Sequence, residues 1–269
     1  MQSIRRWMAK HRILAKVLVC TTMVICYSSL LLVDVTPWLV VAVDLFMIFF
    51  FNIWVDVSIA NLVTPTIKTL NEQCDPYPML EETERQLHYG YKGTLDQTNR
   101  INYACALRQI GQYQQALDVL NDINVDRYGG LQAVSKYVYY NNLMDVLTMM
   151  GRYAEAEIWY QKAVQIYKDL PENRIKKQLA DSVESAAAYA WFRRGEYEKA
   201  KETLNATQPK ELCNRVGHAL LYARCCVAEG NLDAAREPLE FVIQCGNRLY
   251  AAQEAQILLQ QISVTPQSD

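Results

Sequence analysis

Two long apolar segments occupy most of the first 57 residues. The first, residues 13–33, has a single charged residue, Lys16, and the second, residues 38–57, has three strongly polar residues, Asp44, Asn52 and Asp56. Each segment has about 20 residues, and a helix that rises about 1.5 Å per residue would then cross a hydrocarbon core of about 30 Å. Only residues 34–37 separate the segments. The pattern predicts a transmembrane helical hairpin.

Basic residues gather on one side of the first apolar segment. Five cations lie before it or in its first turn: Arg5, Arg6, Lys10, Arg12 and Lys16. The turn at residues 34–37 has none, and positive charge near a span favours the cytoplasmic side. We therefore expect a two-pass protein of the plasma (inner) membrane with both termini in the cytoplasm. The alternative, a cleavable signal peptide, is disfavoured because no small-x-small cleavage site precedes a mature start.

Asp44 and Asn52 are candidate functional residues within the second segment. An aspartate at the centre of a membrane helix costs about 2.5 to 3.5 kcal/mol on insertion scales, so such residues often have a polar partner. Asp56 lies nearer the end, where headgroups are within reach. These residues leave open that the hairpin itself contacts other membrane proteins.

A different periodicity begins after residue 93. The pattern Gly-x-x-x-x-Ala occurs at Gly111–Ala116, Gly151–Ala156, Gly195–Ala200 and Gly230–Ala235. Successive glycines are about 35 to 44 residues apart, the period of helix-pair solenoids. Such units bury their apolar faces against neighbouring units, so we expect a stacked superhelix with a concave face. An ordinary helical bundle is the alternative.

The pattern resembles the tetratricopeptide repeat (TPR) family over residues 94–262. In that family helix A ends at the glycine, and helix B begins near the aromatic residue, here Tyr113, Tyr153 and Tyr197. The alanine allows the two helices to cross closely. A two-span anchor followed by such repeats also resembles bacterial two-span membrane proteins with a cytoplasmic TPR region. The implied fold is all-α, a transmembrane hairpin followed by about four helix pairs and a capping helix.

Four regions follow from these patterns. Residues 1–57 form the basic N-terminus and hairpin, and residues 58–93 form a juxtamembrane linker with a short helix from Met79 to Tyr91. Residues 94–262 form the solenoid, closed by a helix over residues 247–262. Residues 263–269 are expected to be a frayed tail.

The TPR resemblance implies a protein- or peptide-binding groove on the concave side, lined by the A helices. Its main candidates are Asn102, Arg108, Asn142, Asp145, Tyr189, Arg193 and Arg224. The wider lining includes Ile101, Cys105, Gln109, Asn141, Thr148, Ser185, Phe192 and Leu220. In peptide-binding members an asparagine at the place of Asn102 and Asn142 bonds the ligand backbone or its carboxylate, and arginines suit acidic groups. The same asparagine is also common in the repeat consensus regardless of ligand.

Composition gives no sign of catalysis, cofactors or nucleic acid. The net charge is −2 and the isoelectric point about 6.0, so no basic field favours nucleic acid. Eight cysteines form no Cys-x-x-Cys pair, and three histidines have no metal-site spacing. No phosphate-binding loop, nucleophile elbow or zinc-protease motif occurs. We therefore expect no enzyme activity, no metal, no cofactor and no small-molecule substrate.

Two functions remain open at this point. The first is a membrane-anchored TPR scaffold or adaptor that presents its concave surface to a protein partner in the cytoplasm. The second is an accessory subunit of an integral membrane complex that acts through its transmembrane hairpin.

Overall fold

A computed structural model describes residues 2–28, 37–125 and 132–264. These residues form α-helices and no strand, so the expected all-α fold is confirmed. The hairpin turn at residues 34–36, the loop at residues 126–131 and residues 265–269 of the tail lie outside the described ranges. The helices are α1 (Gln2–Lys10), α2 (Arg12–Ser28), α3 (Pro37–Ala60), α4 (Thr64–Gln73), α5 (Tyr77–His88), α6 (Thr94–Gln109), α7 (Tyr113–Asn121), α8 (Ala133–Met149), α9 (Tyr153–Asp169), α10 (Arg174–Arg193), α11 (Tyr197–Ala206), α12 (Leu212–Ala228), α13 (Leu232–Cys245) and α14 (Tyr250–Val264).

The four repeats are the helix pairs α6/α7, α8/α9, α10/α11 and α12/α13. At the end of each A helix the glycine adopts a left-handed conformation, with φ of +80° at Gly111 and +72° at Gly151. The residue after Gly111, Gln112, donates its backbone N–H to the carbonyl of Leu107 at 3.0 Å, and the other three repeats have the equivalent bond. This is the Schellman arrangement, which satisfies carbonyls that a helix end leaves unpaired. The predicted turns are therefore present.

Small residues lie where the paired helices cross. The four alanines of the pattern, Ala116, Ala156, Ala200 and Ala235, are fully buried. Close packing of the interior leaves no space there for a larger side chain. The helix pairing inferred from the pattern is thus the observed one.

The three aromatic residues of the pattern do not share one environment. Tyr113 meets the ring of Tyr250 edge-on at 5.8 Å, and Tyr197 meets Phe192 at 5.7 Å. Tyr153 is 42% exposed. Helix B begins at all three aromatic residues, but the Tyr153 ring is much more exposed to solvent than a side chain packed between two helices.

Helices α4 and α5 bring the two ends of the repeat region together. Leu70 of α4 and Met79 of α5 lie in one apolar core with Val216 of α12 and Leu239 of α13. The short helix expected over residues 79–91 is α5. Together with α4 it forms a helix pair that packs against the last repeat, whereas the sequence indicated only a linker with one short helix.

The turn between α4 and α5 contacts the turn between α13 and α14. The backbone N–H of Arg248 donates to the carbonyl of Cys74 at 3.2 Å, and the side chain of Asn247 donates to the carbonyl of Gln73 at 2.7 Å. The Arg248 guanidinium lies 3.3 Å from the Asp75 carboxylate. Cys74 and Asn247 are the two non-glycine residues with positive φ in the described ranges. Two strained turns therefore meet at one contact, which we call the closure contact.

The closing helix α14 reaches back to the first repeat. A Cβ atom built on Gly111 would lie 2.6 Å from the Tyr250 ring, so the ring rests directly on that turn. A closing helix was expected over residues 247–262, and the helix present there runs from Tyr250 to Val264, with Ala252 and Ala255 buried and Leu249 buried just before it. The last helix of the stack therefore touches its first repeat, a contact that the expected superhelix with a concave face did not include.

Helices α2 and α3 pack side by side at the N-terminus. The Asp56 carboxylate of α3 binds Arg12 at 2.7 Å and Lys16 at 2.8 Å. One helical stretch in the described ranges, Val41–Gln73, is long and apolar enough to cross a membrane, with a mean hydropathy of 1.8 over an 18-residue window. The predicted two-span hairpin is not confirmed, since the described part of α2 has 17 residues and residues 29–36 are not described.

Candidate functional site

The A helices of the four repeats and the start of α14 surround a pocket of about 290 Å³. Four of the candidate groove residues line it: Arg108, Asn142, Asp145 and Tyr189. The other three, Asn102, Arg193 and Arg224, are not among its lining residues. The positions chosen along the A helices therefore correctly identified four pocket-lining residues among the seven main candidates.

An ion pair between adjacent repeats forms one wall of the pocket. The Arg108 guanidinium of α6 lies 2.8 Å from the Asp145 carboxylate of α8. Burial raises the pKa of Asp145, and the nearby guanidinium groups of Arg108 and Arg193 offset part of that effect. Tyr189 lies close to both charges, and burial raises the pKa of its hydroxyl to about 12. This wall is polar and internally charge-balanced.

Arg193 also has a carboxylate partner within the chain. Its side chain is 2% exposed, and it donates to Glu157 at 3.2 Å and to the hydroxyl of Thr148 at 3.1 Å. Glu157 lies on α9, so the pair joins the second repeat to the third.

Arg224 is paired in the same way. Its Nε donates to the Glu254 carboxylate of α14 at 2.6 Å, and its guanidinium contacts the sulfur of Met149 at 3.4 Å. All three candidate arginines thus hold neighbouring helices together. A role for them in binding an acidic ligand stays a prediction.

The two candidate asparagines have different positions. Asn142 is buried, and its amide donates to the carbonyl of Val138 in its own helix at 2.9 Å. Asn102 is partly buried. One N–H of the Asn142 amide is therefore already bonded to its own helix backbone. This structural role needs no ligand, in keeping with an asparagine that is common in the repeat consensus regardless of ligand.

The opposite end of the pocket carries polar groups that the sequence did not single out. The Ser185 hydroxyl lies 2.6 Å from Nε2 of His218, and Ser182 and Asn214 are close by on the lining. Burial lowers the pKa of His218, and the carboxylates of Asp181 and Glu184 oppose that shift. His218 lies outside the helix A positions used to choose candidates, so no signal in the repeat pattern marks it.

Three polar atoms of the lining residues are buried without a hydrogen-bond partner in the described part of the chain. They are Nε of Arg108, Oδ1 of Asn141 and Nδ1 of His218. An unpaired buried polar group costs about 1 to 3 kcal/mol. Three such atoms from three different repeats around one pocket mark it as the candidate binding site.

Of the two candidate polar residues in α3, Asn52 has a hydrogen-bond partner and one carboxylate oxygen of Asp44 has none among the described residues. The Asn52 amide donates to the carbonyl of Ile48 at 2.8 Å and lies 3.6 Å from the sulfur of Cys20. Oδ1 of Asp44 is buried with no hydrogen bond to the described residues. No group of three or more metal-ligating side chains is found within the ranges 2–28, 37–125 and 132–264.

Comparison with protein families gives one match to the repeat region. The family model described as anaphase-promoting complex, cyclosome, subunit 3 matches residues 149–242, from the end of α8 into α13. Searches of curated proteins and of solved structures give no match. The resemblance to bacterial two-span membrane proteins has no support from these comparisons. Residues 149–242 of this chain are repeats of the TPR type, a type that generally mediates contacts between proteins.

Proposed function

We propose that this protein is a membrane-anchored scaffold whose TPR-type repeats bind a protein partner at the cytoplasmic surface, without a catalytic role. The observation that carries the anchor is the distribution of exposed apolar side chains. Apart from Tyr153, Ile158, Ile175 and Ile257, every large exposed apolar side chain in the described ranges lies between residues 4 and 57.

The exposed surface of α3 is apolar over many turns. Trp38 is 86% exposed and Phe49 66% exposed, Leu45 and Phe46 are exposed between them, and Phe50 is exposed next to Phe49. Soluble monomers rarely expose apolar patches larger than a few hundred Å². In a bilayer these side chains face acyl chains, and the backbone groups of both helices are satisfied internally.

The polar end of the hairpin supports its placement at a membrane surface. Asp56, Arg12 and Lys16 form an ion-pair cluster at the end of α3 that continues into α4. Charged groups at a helix end can remain hydrated at the headgroup level, whereas at the bilayer centre they would be costly. This end would lie at the cytoplasmic face.

Topology reporters test the anchor. A reporter that is active only outside the cytoplasm should be silent when fused after Asp269 and active when inserted at Thr36. Alkaline extraction should leave the full chain in the membrane fraction. A silent reporter at Thr36 together with an active one after Asp269 would reverse the proposed orientation.

The pocket limits what the partner can present. Its volume of about 290 Å³ lies just below the range of ligand pockets, which runs from about 300 to 1,000 Å³. The charges of Arg108 and Asp145 are already balanced against each other. The pocket therefore suits one polar side chain or chain end of a partner, whereas the TPR resemblance implied a longer protein- or peptide-binding groove.

A matched pair of amide substitutions tests the pocket. Asn141→Ala removes a lining amide whose oxygen has no hydrogen bond to the described residues, and Gln115→Ala removes an exposed amide on α7. Capture from native membranes by the full-length protein should lose a partner with Asn141→Ala and keep it with Gln115→Ala. Identical partners from both variants would contradict binding through the pocket.

The alternative function is an accessory subunit that acts through its hairpin, and the buried Asp44 oxygen favours it. Replacing residues 1–57 by an unrelated two-span anchor separates the two proposals. The scaffold proposal expects the same partners after replacement. Loss of all partners would favour the hairpin as the contacting element.

A further inference from the structure

Helix α1 is fixed across the base of the α2–α3 hairpin, the end from which α3 continues into α4. Met8 and Ala9 of α1 are buried in one cluster with Val55 and Ile59 of α3. The carbonyl of Ala9 accepts a hydrogen bond from the Tyr91 hydroxyl at 2.8 Å. The N-terminal helix is therefore a packed part of the structure that lies at the level of the hairpin base.

The side of α1 that these contacts leave uncovered is apolar. Ile4 is 62% exposed and Trp7 is 44% exposed, and they lie three residues apart on one face of the helix. Ile13 and Leu14 at the start of α2 continue the exposed apolar surface toward the hairpin. Tryptophan favours the headgroup level of a bilayer, and a short helix with an apolar face and cations suits the interface.

The cations near the hairpin base fall into two groups. Arg12 and Lys16 are held by the Asp56 carboxylate at 2.7 and 2.8 Å. Arg5 and Lys10 have no carboxylate within ion-pair distance among the residues that the structure describes. Lys10 is exposed and Arg5 is partly buried, so the charge of this second group is uncompensated within those residues and is accessible to an external anion chiefly at Lys10.

Arg6 is intermediate between these groups. Its guanidinium lies 3.9 Å from Glu82, and its side chain is 55% exposed. Glu82 has a closer partner in Arg85 at 2.6 Å. The Arg6 charge is therefore only partly compensated within the chain.

We propose that α1 is an interfacial helix that binds the headgroups of anionic phospholipids in the cytoplasmic leaflet. Ile4 and Trp7 insert at the boundary of headgroups and acyl chains, and Arg5, Arg6 and Lys10 contact lipid phosphates. The inference rests on the proposed insertion of the hairpin. Charge complementarity with an anionic leaflet and continuity with the apolar surface of α2 support lipid as the occupant.

Photo-crosslinking in vesicles tests the inference with the full-length chain. Vesicles of phosphatidylcholine with 30% phosphatidylglycerol carry a trace of photo-reactive phosphatidylglycerol or, in a parallel sample, photo-reactive phosphatidylcholine. Peptides from residues 2–10 and from α2 and α3 are then compared for attached lipid. We expect α1 to favour phosphatidylglycerol over phosphatidylcholine by about tenfold or more, the size expected for two cations near an anionic surface.

Charge-matched variants complete the test. Arg5→Gln with Lys10→Gln should reduce the preference of α1 severalfold and leave the part that Arg6 supplies, and Lys177→Gln with Lys210→Gln, two exposed cations of the repeat region, should leave it unchanged. Equal labelling of wild-type α1 by both lipids overturns the inference. So does labelling of α2 and α3 without α1, which would assign the apolar face to a protein contact. Absence of lipid on α2 and α3 overturns the proposed anchor as well.

Discussion

Substitution of Gly111 by alanine tests the contact that closes the repeat region. Gly111 has φ of +80°, and a Cβ atom there would lie 2.6 Å from the Tyr250 ring of α14. Gly151 is the matched control, because it has φ of +72° in the equivalent turn and no atom within 4 Å of a built Cβ. The two substitutions share the backbone strain and differ in the contact with α14.

The expected magnitudes follow from these two terms. A non-glycine residue in the left-handed region costs about 1 to 2 kcal/mol. Displacement of a packed ring costs about 1 to 3 kcal/mol more. Gly151→Ala should therefore lower the free energy of unfolding by about 1 to 2 kcal/mol, and Gly111→Ala by about 2 to 5 kcal/mol.

Urea unfolding of the full chain in detergent micelles, followed by far-ultraviolet circular dichroism, measures the difference. Tyr250→Ala by itself lowers the free energy of unfolding. In the Tyr250→Ala background, however, Gly111→Ala should lower it by no more than Gly151→Ala does, because the ring that would clash with the new Cβ atom is absent. This double-mutant cycle isolates the contact energy. Equal losses for Gly111→Ala and Gly151→Ala in the wild-type background would refute the contact between α14 and the first repeat.

Two further predictions concern the helix crossing and the pocket. Ala156→Leu should overpack the crossing of α8 and α9 and lower the free energy of unfolding by about 1 to 3 kcal/mol. The same change at the exposed Gln115 should alter it little. Equal shifts in the urea midpoint would contradict the assignment of which repeat positions are buried. Because the pKa of His218 is lowered from its ordinary value of 6.5, its contribution to stability should be lost as pH falls below that value. Wild type should therefore lose more stability than His218→Asn between about pH 7.5 and pH 5.5, and parallel losses would contradict a partly buried His218 whose pKa is lowered in the folded protein.

The sequence predicted the features that local physical chemistry determines. A left-handed turn needs a glycine such as Gly111, and a close crossing needs a small residue such as Ala156, so both can be recognised without knowing the rest of the structure. Helix spacing likewise placed Arg108 and Asp145 on the pocket-facing side. These predictions depend only on residues within one repeat.

The features that the sequence did not predict depend on the angle between repeats. Arg193 and Arg224 looked free because their partners, Glu157 and Glu254, lie about 30 to 36 residues away on other helices. Small rotations between successive repeats determine which side chains meet, and the repeat pattern does not encode them. His218 entered the pocket for the same reason.

The closure contact links the proposed anchor to the candidate site. Helix α4 follows α3 after three residues, packs against α12, and ends at the turn that Asn247 and Arg248 contact. Tyr250, three residues after Asn247, lines the pocket and rests on Gly111. A partner group that widens the pocket must therefore displace contacts that also hold α4. Because coupling between two sites is reciprocal, weakening the closure contact with Asp75→Asn, which removes the carboxylate charge opposite Arg248, should change the affinity of a partner that binds in the pocket. Equal affinity of wild type and Asp75→Asn for a captured partner would contradict this coupling.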